Sequence, residues 1–389
     1  MRRSLAAVTL TALTIAATGG TAGAVNQHAN YRAVCPGPAM DSARCHAEVV
    51  TDARGNPLAT TAPSGYGPGQ FRTAYGLPSA SAATVTPTIA IVDAYDDPAA
   101  ESDLGVYSSQ YPLPACTTAN GCFKKVNQTG GSQYPRGNQN WALEISLDVQ
   151  IAHGICPDCK ILLVEAKTNS FTNLMAAVDY ASSHANVVSN SYGSSEFSGE
   201  TSNDFHFNHP GVPITVSSGD NGYGVEYPAA SQYVTAVGGT TLSLNGSGTR
   251  AGETAWSGAG SGCSVYEPKP TWQKDAGCVR RTVADVSADA DPATGAAVYD
   301  SYGYSGQKGW FTVGGTSLAA PLVAGVYGLA GNGAATSYGS YPYPYAHTSS
   351  LFDVVSGSNG SCSGSYLCTS TSGFDGPTGL GTPAGIGAF

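Results

Sequence analysis

Gly314-Gly315-Thr316-Ser317-Leu318-Ala319-Ala320-Pro321 runs straight into the apolar stretch LVAGVYGLAG at residues 322–331. Two glycines permit a tight turn and a close backbone approach. Ser317 then falls at the start of a helix over 317–329, where the first N–H groups point outward. Those groups and the helix dipole favour negative charge developing beside the serine. Pro321 is expected in the first helical turn, where its missing N–H is harmless. A serine N-cap after a glycine turn has the same local pattern. A nucleophile here therefore needs a base from elsewhere in the chain.

The octapeptide resembles the nucleophile segment of the subtilisin-like peptidases, whose base is a histidine in an H-G-T-H stretch. None of the seven histidines here sits in such a stretch; His153-Gly154 is the nearest echo. Carboxylates offer another base. Residues 141–150 read WALEISLDVQ, with Glu144 and Asp148 four apart. The strict alternation of Trp141, Leu143, Ile145, Leu147, Val149 and Ile151 suits a strand. A strand would hold the two acids about 13 Å apart. A helix gives about 6 Å of rise on one face, within side-chain reach. A buried helix can be apolar nearly all round, and Gly154 supplies a stop. Two solvated acids on a surface strand remain the other reading.

Upstream and downstream, runs at 88–92, 161–164, 187–191, 214–217 and 234–237 read as strands, and 173–183 as a further helix. Alternating strands and helices predict an α/β fold, a mainly parallel sheet with helices on both faces. Its site would lie at the strand C-termini.

Three segments together, LEISLD at Glu144 and Asp148, SSGDNG at Asp220 and GGTSLAAP at Ser317, resemble the sedolisin family of serine-carboxyl peptidases. Further similarity runs through SNSYGSSE (189–196), YPAASQYVTAVGGTTL (227–242) and DVSADADPATGAAVYD (285–300), covering roughly Gly65 to Phe389. The resemblance implies a subtilisin-like fold and peptide-bond hydrolysis in acid. It implies Ser317 as nucleophile, Glu144 as base, Asp148 as its carboxyl partner and Asp220 as a protonated oxyanion donor. Ser191-Tyr192-Gly193 would pair with an extended peptide substrate. It also implies one calcium ion on Asp353 and Asp375 with the carbonyls of Val354, Thr371 and Gly373. Hard oxygen donors suit that ion. Two departures stand out. The family carries a prodomain of about two hundred residues, against some forty between Val25 and GYGPGQFRTAYGLP here. And Asp93 ends the strand TIAIVDAY, where ordinary subtilisins keep their catalytic aspartate; without a matching histidine helix it reads as a strand-end or cleft acid.

Composition sets the outer bounds. Of 389 residues only 11% are charged, with 17 basic against 27 acidic, a net charge of −10. A nucleic-acid binder would usually carry a basic face, so no nucleic acid is expected; the family resemblance implies protein or peptide substrates, and a monomer is expected. Few charges also mean few ion pairs to lose in acid. Residues 1–24 read as a secretory signal peptide: Arg2-Arg3, an apolar stretch from Leu5, and Ala22-Gly23-Ala24 before a mature start near Val25. Residues 25–70 read as a short N-terminal extension and 71–389 as the peptidase domain. No later stretch suits a membrane span. Export and ten cysteines in close pairs predict five local disulfides: Cys35/Cys45, Cys116/Cys122, Cys156/Cys159, Cys263/Cys278 and Cys362/Cys368. A redox CxxC or half a zinc site is the alternative at 156–159. The leading expectation is thus a secreted, acid-acting serine-carboxyl endopeptidase. The rivals are a neutral peptidase using His153 and Asp93, and an inactive extracellular binding module.

Overall fold

The computed structural model describes residues 30–336 and 343–389; the signal peptide expected at 1–24 lies outside the described residues. Strands β1 (Asn30–Ala33), β2 (Arg44–Cys45) and β3 (Glu48–Thr51) precede helix α1 (Pro68–Ala74). Then come β4 (Thr88–Ala94), α2 (Ala100–Gln110), β5 (Phe123–Asn127), α3 (Gln139–Ile155), β6 (Lys160–Ala166) and α4 (Phe171–Ser182). Next are β7 (Val187–Asn190), β8 (Tyr192–Ser195), β9 (Ile214–Ser217), β10 (Glu226–Tyr227), β11 (Thr235–Leu244) and β12 (Arg250–Ala255). The hairpin β13 (Gly262–Pro268) and β14 (Arg280–Val283) leads through β15 (Val286–Asp289), β16 (Ala296–Tyr304) and β17 (Gln307–Gly314) to helix α5 (Thr316–Ala330).

The central sheet has the order β12-β11-β9-β7-β4-β6-β5, with β15 also on β11. All its pairings are parallel except β11 with β12. Helices α3 and α5 pack against each other and the sheet, while α4 covers β4, β6 and β7. This is the α/β architecture the strand–helix alternation predicts. Among the described residues no helix is long and apolar enough to cross a membrane.

Helix α3 starts at Asn138, whose side chain accepts hydrogen bonds from the N–H groups of Asn140 and Trp141, satisfying two orphan donors. Every residue from Trp141 to Ile155 is buried, because α2, α5, β4 and β16 surround the helix. Polar side chains on it must then find partners inside. Gln150 does, exchanging two hydrogen bonds with the Tyr299 backbone (2.7 and 2.9 Å). Helix α5 is buried from Thr316 to Leu329. Each of Leu322, Val323, Val326 and Leu329 adds about 1.5–3 kcal/mol of burial. Gly331, at φ 62°, ends it in the left-handed conformation.

Pro321 is a correction. The helix begins at Thr316, so the proline sits inside it rather than in its first turn. The missing N–H frees the Ser317 carbonyl four residues back. The Ser191 hydroxyl reaches that carbonyl at 3.5 Å. All five expected disulfides are present.

Residues 30–51 are woven into the body of the molecule. Strand β3 lies between β1 and β17 in the sheet β1-β3-β17-β16, and β2 lies beside β8. The segment thereby crosses the C-terminal edge of the central sheet, above Ser317.

Candidate active site

Ser317 is wholly buried in the first turn of α5. Its hydroxyl donates to the Ser191 carbonyl at 3.3 Å. It also lies alongside Glu144, close enough to favour the ionised carboxylate, though at a looser geometry than a regular hydrogen bond. Such contacts tighten when a reacting group is in place. Glu144 and Asp148 are one turn apart on α3 and wholly buried. Glu144 Oε1 and both Asp148 oxygens are buried without a regular partner. Asp93, at the end of β4, is equally buried and equally unpartnered.

These three carboxyls form one cluster. Burial pushes the Glu144 and Asp148 carboxyls well above the ordinary range, and the charge of Asp93 adds to both. Burial lifts Asp93 to about 8. Three carboxylates in one low-dielectric pocket cannot all be ionised together, so the cluster retains protons at acid pH.

Asp220 follows β9. Its Oδ1 accepts from the Thr316 N–H (2.8 Å) and the Thr316 hydroxyl (2.7 Å). Its Oδ2 is buried and unpartnered. The residue as a whole is partly exposed, but the carboxyl itself is desolvated enough to be pushed up to about 6, against the pull of His46 and Thr316. Gly315, at φ 91°, cannot carry a side chain: a Cβ there would run into Asp220 Oδ2 and the His46 carbonyl oxygen. The G-G-T-S turn is glycine because a carbonyl and a carboxyl converge on it.

The sequence gives no hint of what fills this space. His46, Ala47 and Glu48 lie directly over Ser317, all buried. The Ala47 N–H donates to Glu144 Oε2 at 3.0 Å. The His46 N–H donates to the Ser191 carbonyl at 3.1 Å. The His46 ring points away from Ser317, bonded to Ser217 Oγ and Glu226 Oε2. His153 stands nine residues along α3 from Glu144, about 13 Å of rise, with Nε2 3.0 Å from the Pro114 carbonyl. Burial lowers its basicity.

At the C-terminal end, Asp353 Oδ2 accepts from the Gly373 N–H (2.9 Å) and the Ser372 hydroxyl (3.3 Å). Asp353 Oδ1 is buried without a partner. Asp375 accepts from the N–H groups of Thr371 and Thr378 and from the Thr378 hydroxyl, each at 2.9 Å. Burial pushes it up to about 7, and Asp353 adds to the rise. The side-chain clusters at Cys116, Cys122 and His153 and at Cys156, Asp158 and Cys159 have their sulfurs locked in disulfides, which leaves no thiolate for zinc.

A profile of the subtilase family matches residues 126–341. Sedolisin of Pseudomonas sp. (strain 101) is 31% identical over 375 residues, 84% of this chain and 61% of its own length. Kumamolisin of Bacillus sp. (strain MN-32) is 30% identical over 298 residues, 67% of this chain and 53% of its own. The chain thus spans little more than half the length of these relatives. The solved structure of Pseudomonas sedolisin, a serine-carboxyl proteinase complexed with pseudo-iodotyrostatin, superposes with a TM-score of 0.68. It is 30% identical, over 83% of this chain and 96% of that one. With a subtilase sheet, a Glu–Asp pair on a buried helix beside the serine and this kinship, the chain belongs to the sedolisin family.

Proposed function

We propose that the chain is a secreted serine-carboxyl endopeptidase that works in acid. The observation that carries this reading is Ser317 beside Glu144, itself one helical turn from Asp148, with the His46 ring turned away to Ser217 and Glu226. Ser317 Oγ attacks the scissile carbonyl and its proton passes to Glu144. Glu144 then gives the proton to the leaving amine, and water hydrolyses the acyl-enzyme by the reverse path. Asp148 orients Glu144 and shares its proton load. Asp220, protonated, donates from Oδ2 to the oxyanion. Asp93, the third buried carboxyl, is itself protonated in acid and adds to the cluster's store of protons. Loss of turnover in Ser317→Ala and Glu144→Gln, with folding intact, tests the assignment; full activity in either variant overturns it.

The C-terminal loops fit a calcium ion. Asp353 offers an unpartnered buried oxygen, and Asp375 is a second acid whose ionised form a cation would favour against its burial. The carbonyls of Val354, Thr371 and Gly373 complete a hard-oxygen donor set. The ion would neutralise the two carboxylates and tie the loops together. The five disulfides accord with export, and the apolar N-terminal stretch with a signal for it.

A further inference from the structure

A second set of carboxyls lies outside the catalytic cluster, where β13 meets the short 3-10 helix Glu200–His206 that follows β8. Glu200 and Glu267 are wholly buried, Asp204 is 6% exposed, and Glu196 is half-buried beside them. Ser264 ties two of the four together: its hydroxyl donates to Glu196 Oε1 and accepts the Glu267 N–H at 2.7 Å. The Val265 N–H donates to Glu196 Oε2 at 2.9 Å. The Phe197 N–H donates to Glu200 Oε2 at 2.7 Å, and the Tyr227 hydroxyl to Asp204 Oδ1 at 3.3 Å. The carboxyls of Asp204 and Glu267 are within hydrogen-bonding reach of each other, as are those of Glu196 and Glu200.

Both Glu267 oxygens and Glu200 Oε1 are nevertheless buried with no donor. Among the described residues no lysine or arginine forms a salt bridge with any of the four. Arg281 on β14 acts on Asp204 from a distance but gives its own bonds to Asp285, at 2.7 and 2.5 Å. Lys269, just past β13, is bound to Asp275 at 2.9 Å, and Arg280 reaches the Tyr266 carbonyl at 2.7 Å. At the far end of the 3-10 helix, His206 pairs with Asp179 of α4 at 2.8 Å. Glu226, beside Tyr227 on β10, turns to His46. Four carboxylates here would repel one another with no cation between them, and burial keeps water from screening them. The donor they lack is a proton of their own. A protonated carboxyl donates its O–H to a neighbouring carboxylate, and such charge-assisted bonds are strong. Burial chiefly, and then the Asp204 charge, pushes Glu267 up to about 9. Burial chiefly, with the Glu196 charge adding, pushes Glu200 up to about 9.

We propose that Asp204–Glu267 and Glu196–Glu200 are two proton-sharing carboxyl pairs that latch the 3-10 helix onto β13 in acid and release it as the pH rises. The device is separate from the catalytic carboxyls, goes beyond the peptidase reading and does not depend on it. The raised groups hold protons in the folded chain that they have lost in the unfolded one. The latch therefore contributes fully below about pH 4, and its contribution is lost as the pH climbs toward about 9. The 3-10 helix is continuous in sequence with β8 (Tyr192–Ser195), so its release loosens the anchor of that strand's end.

The full chain carrying Ser317→Ala, which removes the nucleophile and with it self-digestion, is the parent for the test. Glu267→Gln sets a permanent N–H donor against Asp204, so the pair stays closed without a proton. Its melting temperature should match the parent's near about pH 4 and exceed it by about 2 °C or more near about pH 8. Glu200→Gln should do the same for the pair with Glu196. Backbone hydrogen exchange over residues 197–207, corrected for its intrinsic pH dependence, should quicken in the parent between about pH 5 and about pH 8. It should stay slow in Glu267→Gln. A Glu267→Gln chain that melts below the parent near pH ~8, or a difference that is the same in acid and alkali, overturns the proposal. Corrected exchange in the parent that does not change with pH overturns it as well, and that measurement decides alone if Glu267→Gln does not fold.

Discussion

Asp220→Asn separates the oxyanion donor from the carboxyl pair. Asp220 is pushed up to about 6, chiefly by burial. If its proton is the donor, the active fraction on this group alone is about nine-tenths at pH 5, about one-tenth at pH 7 and about one-hundredth at pH 8. Wild-type kcat/KM should therefore fall about tenfold between pH 5 and 7. Asparagine keeps the geometry: its carbonyl can still accept the Thr316 N–H and hydroxyl that Oδ1 now accepts, and its NH2 replaces the Oδ2–H. It does not titrate. The fall should then move to the higher pH at which the Glu144 cluster ionises. Asp220→Ala, lacking any donor, should lose about 100- to 1,000-fold in kcat at every pH. Stopped assays on a short peptide across this range read all three. An unchanged midpoint near 6 in Asp220→Asn, or wild-type activity that rises from pH 6 to 8, refutes the reasoning.

Further expectations follow from the same groups. Glu144→Gln should lose about 100- to 10,000-fold in kcat with an unaltered circular dichroism spectrum. Asp93 and Asp97 are buried and both pushed up to about 8, far above the unfolded value near 4. The folded state then binds more protons than the unfolded one between those values, so stability is full below about pH 4 and is lost as pH rises toward 8. Melting temperatures measured across that window should fall with rising pH; an increase would contradict it. Chelation should lower the melting temperature, by the loss of about 3 kcal/mol if calcium stood a hundredfold above its Kd, and Asp353→Ala should remove the sensitivity. Gly315→Ala should abolish activity, because its Cβ would occupy the place of the substrate carbonyl.

Much of this was legible from local pattern. The strand–helix alternation yields the parallel sheet, and paired cysteines close in sequence yield the five disulfides. Residues 141–151 alternate like a strand yet form a helix. A helix enclosed on every side need not confine its apolar residues to one stripe, and only the four-residue spacing of Glu144 and Asp148 betrays it. Asp93 was legible as a strand-end acid but not as a third member of the carboxyl cluster, because the register of β4 against α3 is a tertiary fact. Pro321 misled by one turn, since Ser191, 126 residues upstream of Ser317, supplies what the helix lacks. The segment Arg44–Glu48 carried no local signal at all. Its partners Gly193, Ser217, Glu226 and Gly314 lie some 150 to 270 residues away, and a two-residue strand is invisible to any periodicity.

The central claim is that a serine backed by carboxyls hydrolyses peptide bonds in acid. Digestion of a denatured protein at about pH 4 and about pH 8, by wild type and by Ser317→Ala, tests it most directly. The account predicts fragments from the wild type at the acid pH, few at the alkaline one, and none from Ser317→Ala at either. Greater hydrolysis at the alkaline pH, as an unperturbed histidine base would give, or fragments from Ser317→Ala, would contradict it.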